Sequence, residues 1–351
     1  MDSTPTAPSP PPPPPPPPRR GRSHLAAWVL GLLLLGSLAL NGVLALAALA
    51  GMAPQASPLG GLPGYEEILV DGDKGAKDKI VVLAIEGVIL DDKAQGLGMV
   101  GELRQLLRRL RKADDLKAVI LEINSPGGGI TASDQIYHAL VEFRRDKKVP
   151  LVSLFDDVAA SGGYYVAMAS DHIVAHPTTI TGSIGVISQF LVWKDLMEKV
   201  GIEVEVIKSL NAQGKSSYKD IGSPFRRMTP EERQLLQNLI TEMWERFVAV
   251  VSEGRKGRLT PEQVRELADG RIFSGAQALR LKLVDEIGYQ ENAFRKAREL
   301  AQAPEARVVR LKRKPPGLLE LLYGVEGRSP LPRPMESLAE GPRLLYLWPG
   351  Y

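Results

Sequence analysis

The sequence predicts an α/β domain with parallel strands, and two observations carry that prediction. Short apolar runs of strand length alternate with amphipathic stretches whose apolar residues recur at helical spacing. Small-residue loops, rich in Gly and Ser, fall where one kind of element hands over to the other.

The chain has 351 residues, room for one large domain or two smaller ones. Residues 1–24 form a proline-rich head that ends in Arg19, Arg20 and Arg22. Proline runs adopt extended polyproline II and bury no core. Leu25 to Ala50 contains no charged residue and is dominated by Leu and Ala. That exceeds the roughly 20 residues needed to cross a bilayer, so 25–50 is expected to be a transmembrane anchor. A cleaved signal peptide is the competing reading, but the apolar run is longer than its usual core of about 7–15 residues. The basic residues before the anchor place the N-terminus in the cytoplasm and the rest of the chain on the other side. Residues 51–78, first Gly/Pro-rich and then charged, read as a linker.

A folded domain is expected over 79–303. Ile80 to Ile89 is a buried strand, and Met99 to Leu110 is a helix with Met99, Leu103, Leu106, Leu107 and Leu110 on one face. Leu116–Ile123 and Pro150–Phe155 are further strands, with a helix over Ser133–Phe143 between them. Asp171–Pro177 (DHIVAHP) and Ile202–Ile207 read as strands. Thr229-Pro230-Glu231-Glu232 opens a helix with a capping Thr, Pro at the first position and Glu closing a capping box. Its apolar stripe from Leu235 to Val251 is either core or an interface between subunits. Thr260-Pro261-Glu262-Gln263 opens another helix in the same way, and Gln290 to about Ala301 closes the domain. Residues 304–351 are expected to be a flexible tail, basic, then Pro-rich, then apolar at its end.

Composition narrows the chemistry. The net charge is only +3, and much of the basic excess lies in Arg19–Arg22 and Arg310–Lys314. No broad basic face results, which argues against nucleic acid as a partner. The absence of Cys excludes thiol nucleophiles, Cys zinc sites and disulfides together. No metal-ligating constellation is present, and no cofactor motif emerges. Asn124-Ser125-Pro126-Gly127-Gly128-Gly129 lies between a strand and a helix. Its successive N–H groups can converge on an anion or an oxyanion, or it is a plain tight turn. No GK[ST] follows, so a nucleotide P-loop is unsupported.

Ser161, in Asp157–Tyr165 (DVAASGGYY), sits at a strand-to-helix junction with Gly162 and Gly163 behind it. It reads either as a nucleophile with backbone donors beside it or as a helix N-cap. A nucleophilic serine needs a base. The four His are His24, His138, His172 and His176, and none is marked out by its context. A lysine is the alternative. Its ordinary pKa near 10.4 makes it a poor base until desolvation lowers it.

The motifs N-S-P-G-G-G at 124–129, A-A-S-G-G-Y-Y at 159–165, T-G-S-I-G-V at 181–186, Y-K-D-I-G-S-P-F-R at 218–226, M-T-P-E-E-R at 228–233 and D-G-R-I-F-S-G-A-Q-A at 269–278 occur in that order. Together, over roughly 79–300, they resemble the signal peptide peptidase A family in its single-repeat bacterial form, peptidase family S49. The resemblance implies a ClpP/crotonase-type superhelical fold and a membrane-anchored serine endopeptidase without cofactor. It implies Ser161 as nucleophile, Lys219 as general base, Ser183 as the group that orients the lysine, and the Gly162 and Gly128 N–H groups as the oxyanion hole. The segment between Lys208 and Lys219 is longer than the family pattern and adds Lys215. The Y-K-D context favours Lys219 over Lys215, and Lys208 is third. Implied partners are signal peptides and other apolar peptides, the membrane, and seven further copies in an octamer, with the catalytic domain outside the cytoplasm. By the same analogy, the apolar C-terminal end enters an active-site groove. A crotonase-type acyl-CoA enzyme, a protease of stomatin-like proteins and an inactive membrane scaffold are the competing readings.

Overall fold

The computed structural model describes residues 23–52, 65–91, 98–313 and 345–347. The chain divides into two compact units, 1–60 and 61–351. In the first, Ser23–Met52 is helix α1. Its described side chains, 28–42, are all exposed, including Trp28 and seven leucines. Among the described residues no helix is long and apolar enough to cross a membrane. The head 1–22 and the side chains at both ends of the expected anchor lie outside those residues.

The second unit carries, in order, β1 (Tyr65–Asp71), β2 (Lys79–Glu86), α2 (Gly98–Leu110), β3 (Leu116–Ser125), β4 (Gly127–Gly129), α3 (Ile130–Lys147) and β5 (Leu151–Ala160). Then come α4 (Gly162–Ala167), β6 (His172–Ala175), β7 (Ile180–Gly182), α5 (Lys194–Lys199), α6 (Pro230–Gly254) and α7 (Pro261–Leu267). The last are β8 (Ile272–Ser274), α8 (Gly275–Arg280), β9 (Glu286–Ile287), α9 (Gln290–Leu300), β10 (Arg307–Arg313) and β11 (Leu345–Leu347). The main sheet runs β1-β10-β2-β3-β5-β6-β9, and β7 and β8 branch from β5. From β10 to β9 every pairing along that path is parallel.

The apolar runs are continuous because both faces of a parallel sheet are covered. Side chains alternate between the faces. Val81, Leu83, Val119, Leu121 and Ile123 join the core built by α2, α3, α4 and α6. Ile80, Val82, Ile120, Val152 and Leu154 join Ala293, Phe294 and Ala297 of α9 on the other face. β5 serves two ladders. Leu151–Phe155 lies between β3 and β6, while Val158–Ala160 continues beyond β6, keeps β3 at Ser125↔Ala159 and pairs with β7 on its other side. Ser161 follows directly on that extension.

Three expectations change. The assigned linker 51–78 contains β1, which pairs with β10. The domain does not stop at 303, because β10 occupies a place in the sheet between β1 and β2. Val308 and Val309 are buried there, and Arg310 reaches Glu122 at 2.7 Å, so a basic stretch that looks like a solvated tail is a sheet strand. Finally, 202–207 is not a strand. Its apolar/acidic alternation fits the strand period, but an extended segment needs a neighbour to supply ladder hydrogen bonds. Among the described residues none pairs with it, and Ile207 is 91% exposed.

Both proline-led capping boxes form as expected, at Thr229/Glu232 and Thr260/Gln263. The C-terminal end of α6 is fixed by Arg255, only 1% exposed. Its guanidinium grips Asp285 at 2.8 and 3.0 Å and donates to the Lys282 carbonyl at 2.9 Å. Burial pushes the Asp285 carboxyl up, but the Arg255 hydrogen bonds and the charges of Arg255 and Arg258 outweigh it and hold the group below its ordinary value. The stability this contributes is therefore present above the unfolded pKa and is lost as pH falls through the depressed folded value. Arg255→Leu is expected to cost up to about 3 kcal/mol at neutral pH, because it removes the bidentate partner of a buried carboxylate and leaves only Arg258 and the Ile173 N–H on it. In denaturant titrations the gap between variant and parent should narrow below about pH 4. A gap that stays constant from pH 7 to pH 3 would rule out the carboxylate as its source.

Candidate active site

Ser161 follows directly on β5, 1% exposed, with φ 52° and ψ −115°. A non-glycine residue there costs on the order of 1–3 kcal/mol and persists only where its surroundings fix it. Here they do. The Ser161 N–H donates to the Gly182 carbonyl at 2.8 Å, and the Ser161 carbonyl accepts from the Tyr165 N–H at 2.8 Å to open α4. The next turn is pinned by two buried tyrosines. Tyr164 donates to the Leu283 carbonyl at 2.8 Å and Tyr165 to Asp134 at 2.5 Å. Ser161 occupies the N-cap position, yet its side chain makes no capping hydrogen bond. The capping alternative therefore fails: the hydroxyl is held in a strained corner and is not used to close the helix.

The glycine loop folds against this corner. A carbon added at Gly162 would lie 2.5 Å from Ser133 Oγ, 3.1 Å from Gly127 Cα and 3.1 Å from the Gly128 nitrogen. A carbon on Gly128 would collide with the Ile89 carbonyl. Side chains at either position would push the two backbones apart, so the glycines are required for close approach. Two serines hold the loop. Ser125 Oγ donates to the Gly87 carbonyl at 2.6 Å and accepts from the Gly127 N–H at 3.1 Å. Ser133 Oγ donates to the Gly129 carbonyl at 3.0 Å. Both are fully buried. Sequence reasoning gave neither a role, although Ser125 stands inside the first glycine motif.

Ser183 joins the cluster through β7. It follows Gly182, whose carbonyl accepts from Ser161, and it too has positive φ, 50°. Its N–H donates to the Arg271 carbonyl at 2.8 Å. Ser183 also lines a cleft of ≈ 440 Å³ with Val186, Ile187, Ile240 and Trp244 among its walls. Ser161, Gly162, Gly128 and Ser183, far apart in sequence, are thus brought together.

The bases are not. Lys219 is exposed, on the irregular stretch before α6, and among the described residues no hydrogen bond or ion pair joins it to Ser161 or Ser183. Lys215 is exposed as well. Lys208 is half-buried and bound to Asp220 at 2.5 Å. The described histidines have other partners: His138 lies 3.4 Å from Glu142, His172 3.3 Å from Glu286 and His176 3.7 Å from Asp156.

The C-terminal strand β11 pairs antiparallel with β4, with Leu347 opposite Gly127, Tyr346 opposite Gly128 and Leu345 opposite Gly129. An extended segment of the chain therefore lies along the glycine strand next to Ser161.

A strained serine packed against glycine backbone, beside a glycine strand that pairs with an extended segment, suits a serine hydrolase that acts on peptides. The pattern of peptidase family S49 matches residues 143–304. An Enterococcus faecium protein assigned by name to signal peptide peptidase SppA is 37% identical over 252 residues, 70% of this chain and 70% of that protein. A protein of Methanocaldococcus jannaschii named as a protease is 39% identical, covering 71% of this chain and 77% of its own length. A chloroplastic serine protease SPPA of Arabidopsis thaliana is 32% identical over 72% of this chain but 37% of its own length. The chain belongs to peptidase family S49, and the class is that of a serine protease.

Gly162→Ala should lower kcat on the order of 100- to 1000-fold, the effect of displacing an oxyanion donor, with KM little changed. Unfolding midpoints recorded alongside separate this from collapse of the fold. A folded variant with the parent kcat would remove the Gly162–Gly128 approach from the chemistry.

Proposed function

We propose that this protein is a membrane-anchored endopeptidase that degrades cleaved signal peptides and other apolar peptides through a Ser161/Lys219 dyad. The observation that carries the proposal is the uncapped, positive-φ Ser161 packed against the glycine strand. The substrate adds to β4 as an extended strand, the pairing that β11 makes in the chain itself. Ser161 Oγ attacks the scissile carbonyl carbon while its proton passes to the neutral Lys219 amine. The Gly162 and Gly128 N–H groups stabilise the oxyanion. Lys219 then gives the proton to the departing amine, and a water, deprotonated by the same lysine, releases the acyl group from Ser161. Ser183 accepts a hydrogen bond from the lysine and holds it in line.

In a single chain Lys219 is exposed and no hydrogen bond among the described residues joins it to Ser161. Assembly removes the difficulty. Lys219 sits among uncovered apolar side chains, Leu210, Tyr218 and Phe225, and the first turns of α6 expose Leu235 and Leu239. Exposed apolar side chains of this kind support a contact between chains. In a ring of copies, an octamer by family analogy, one subunit's Lys219 is desolvated against its neighbour's Ser161. Residues 25–50 anchor the assembly, with the head cytoplasmic and the catalytic domains on the far side of the membrane.

The test uses the full chain in detergent micelles, a fluorogenic apolar peptide, and oligomer size as a control. Ser161→Ala and Lys219→Ala should each lose activity by at least about 10⁴-fold, and Lys215→Ala should stay near the parent. Co-expressed Ser161→Ala and Lys219→Ala subunits should recover activity if the dyad spans two chains. Activity that survives Ser161→Ala defeats the mechanism. Loss confined to Lys215→Ala moves the base into the extended loop. Cleavage of a stomatin-type C-terminal segment with no cleavage of signal peptides redirects the substrate assignment.

A further inference from the structure

The segment that carries Lys219 has little regular structure, yet one closed set of charges holds it. Asp220, the next residue, accepts from Arg226 Nε at 2.7 Å, from Arg226 Nη2 at 2.8 Å and from Lys208 Nζ at 2.5 Å. The same guanidinium donates to both oxygens of Glu232, at 2.5 and 2.7 Å. Glu232 is buried, and its carboxylate also accepts from the Thr229 N–H at 3.0 Å as part of the cap of α6. Backbone turns bracket Lys219 on either side, with Ile221 N–H to the Tyr218 carbonyl and Ser223 N–H to the Asp220 carbonyl, both at 3.0 Å.

We infer that Arg226 is a positioning residue for Lys219: it locks the Tyr218–Asp220 turn to the start of α6 and neutralises the carboxylate beside the base. The inference rests on the reading of Lys219 as that base. The geometry is specific to arginine, because one planar fork makes four hydrogen bonds to two carboxylates, paired on each, and an ammonium has only three N–H donors. The charge balance is equally specific. Lys208 and Arg226 offset Asp220 and Glu232 in full. A free carboxylate next to Lys219 would favour its ammonium form and make it a poorer base. Hydrogen bonds from Arg226, then Lys208, hold the Asp220 carboxyl well below the usual carboxylate range, so it stays ionised and committed to them. The remaining charges around the segment stand apart from this set. Lys215 and Glu231 are exposed, and Arg227 pairs with Asp195 of α5 at 2.6 Å.

The experiment is the pH dependence of kcat/KM for the full-chain protein, whose acid limb reports the base of the free enzyme. In Arg226→Gln that limb should move up by about one pH unit, which is roughly a tenfold loss at pH values below it. Adding Asp220→Asn to Arg226→Gln should return the limb to the parent position or lower. Arg226→Lys should keep the limb in place and reduce kcat, since charge is retained and the fork is lost. If Arg226→Gln does not assemble, Lys208→Met removes the second cation and should move the limb in the same direction. A uniform loss at every pH with an unmoved limb in these variants would show a purely structural role and overturn the inference. Full activity in Lys219→Ala would instead sink the base assignment, so the two failures are distinguishable.

Discussion

The hydrogen bond from the Ser161 N–H to the Gly182 carbonyl is the contact on which the site depends. It forms because β5 runs on past β6 and pairs with β7. It fixes Ser161 in a backbone conformation that the residue would not adopt alone. The tyrosines that follow carry the constraint into the core. Tyr164 reaches Leu283 before β9, and Tyr165 reaches Asp134 on α3. The nucleophile candidate is thus strained locally and secured by contacts that span more than a hundred residues of sequence. Such strain at one serine, with its hydroxyl unused by the helix it precedes, is what separates a reactive corner from an ordinary cap.

The glycine strand is the second half of the same device. β4 is short, pressed against Ile89 on one side and Gly162 on the other, and Ser125 and Ser133 tie its backbone down. Backbone held by buried hydrogen bonds needs little reorganisation when charge develops beside it, and that is how oxyanion stabilisation operates. The pairing of β11 with β4 shows that the same strand accepts an extended apolar segment. In the proposed mechanism, binding and charge stabilisation share this one stretch of three residues.

The rigid sheet and the segment from 187 to 229 differ in kind. The first buries its apolar residues on both faces. The second leaves Leu191, Trp193, Ile202, Ile207 and Leu210 exposed and draws its order from the Asp220–Arg226–Glu232 ion set. On the proposed reading, one chain builds the serine half of the site and presents Lys219 on an exposed stretch. Family membership makes the protein a serine protease, and this division gives a physical reason why its activity would depend on assembly.

Much was legible in the sequence, because it depends on local pattern. Apolar periodicity marked β2, α2, β3 and α3, and the T-P-E-E and T-P-E-Q signatures marked the starts of α6 and α7, since caps and amphipathic faces are written within a few residues. The motifs around Ser161, Gly128 and Ser183 were legible by resemblance, and the fold brings those residues together. What tertiary structure alone decided concerns partners distant in the chain. Arg307–Arg313 is a strand because a sheet edge is there to receive it, and 202–207 is not because none is. The Y-K-D context ranks Lys219 above Lys215, and both are exposed in the folded chain. Only the folded chain shows that Lys208 is spent on Asp220 and that Arg226 links the turn beside Lys219 to a buried glutamate. Ladder hydrogen bonds and ion pairs are settled by what lies across space, and a linear pattern holds no record of that.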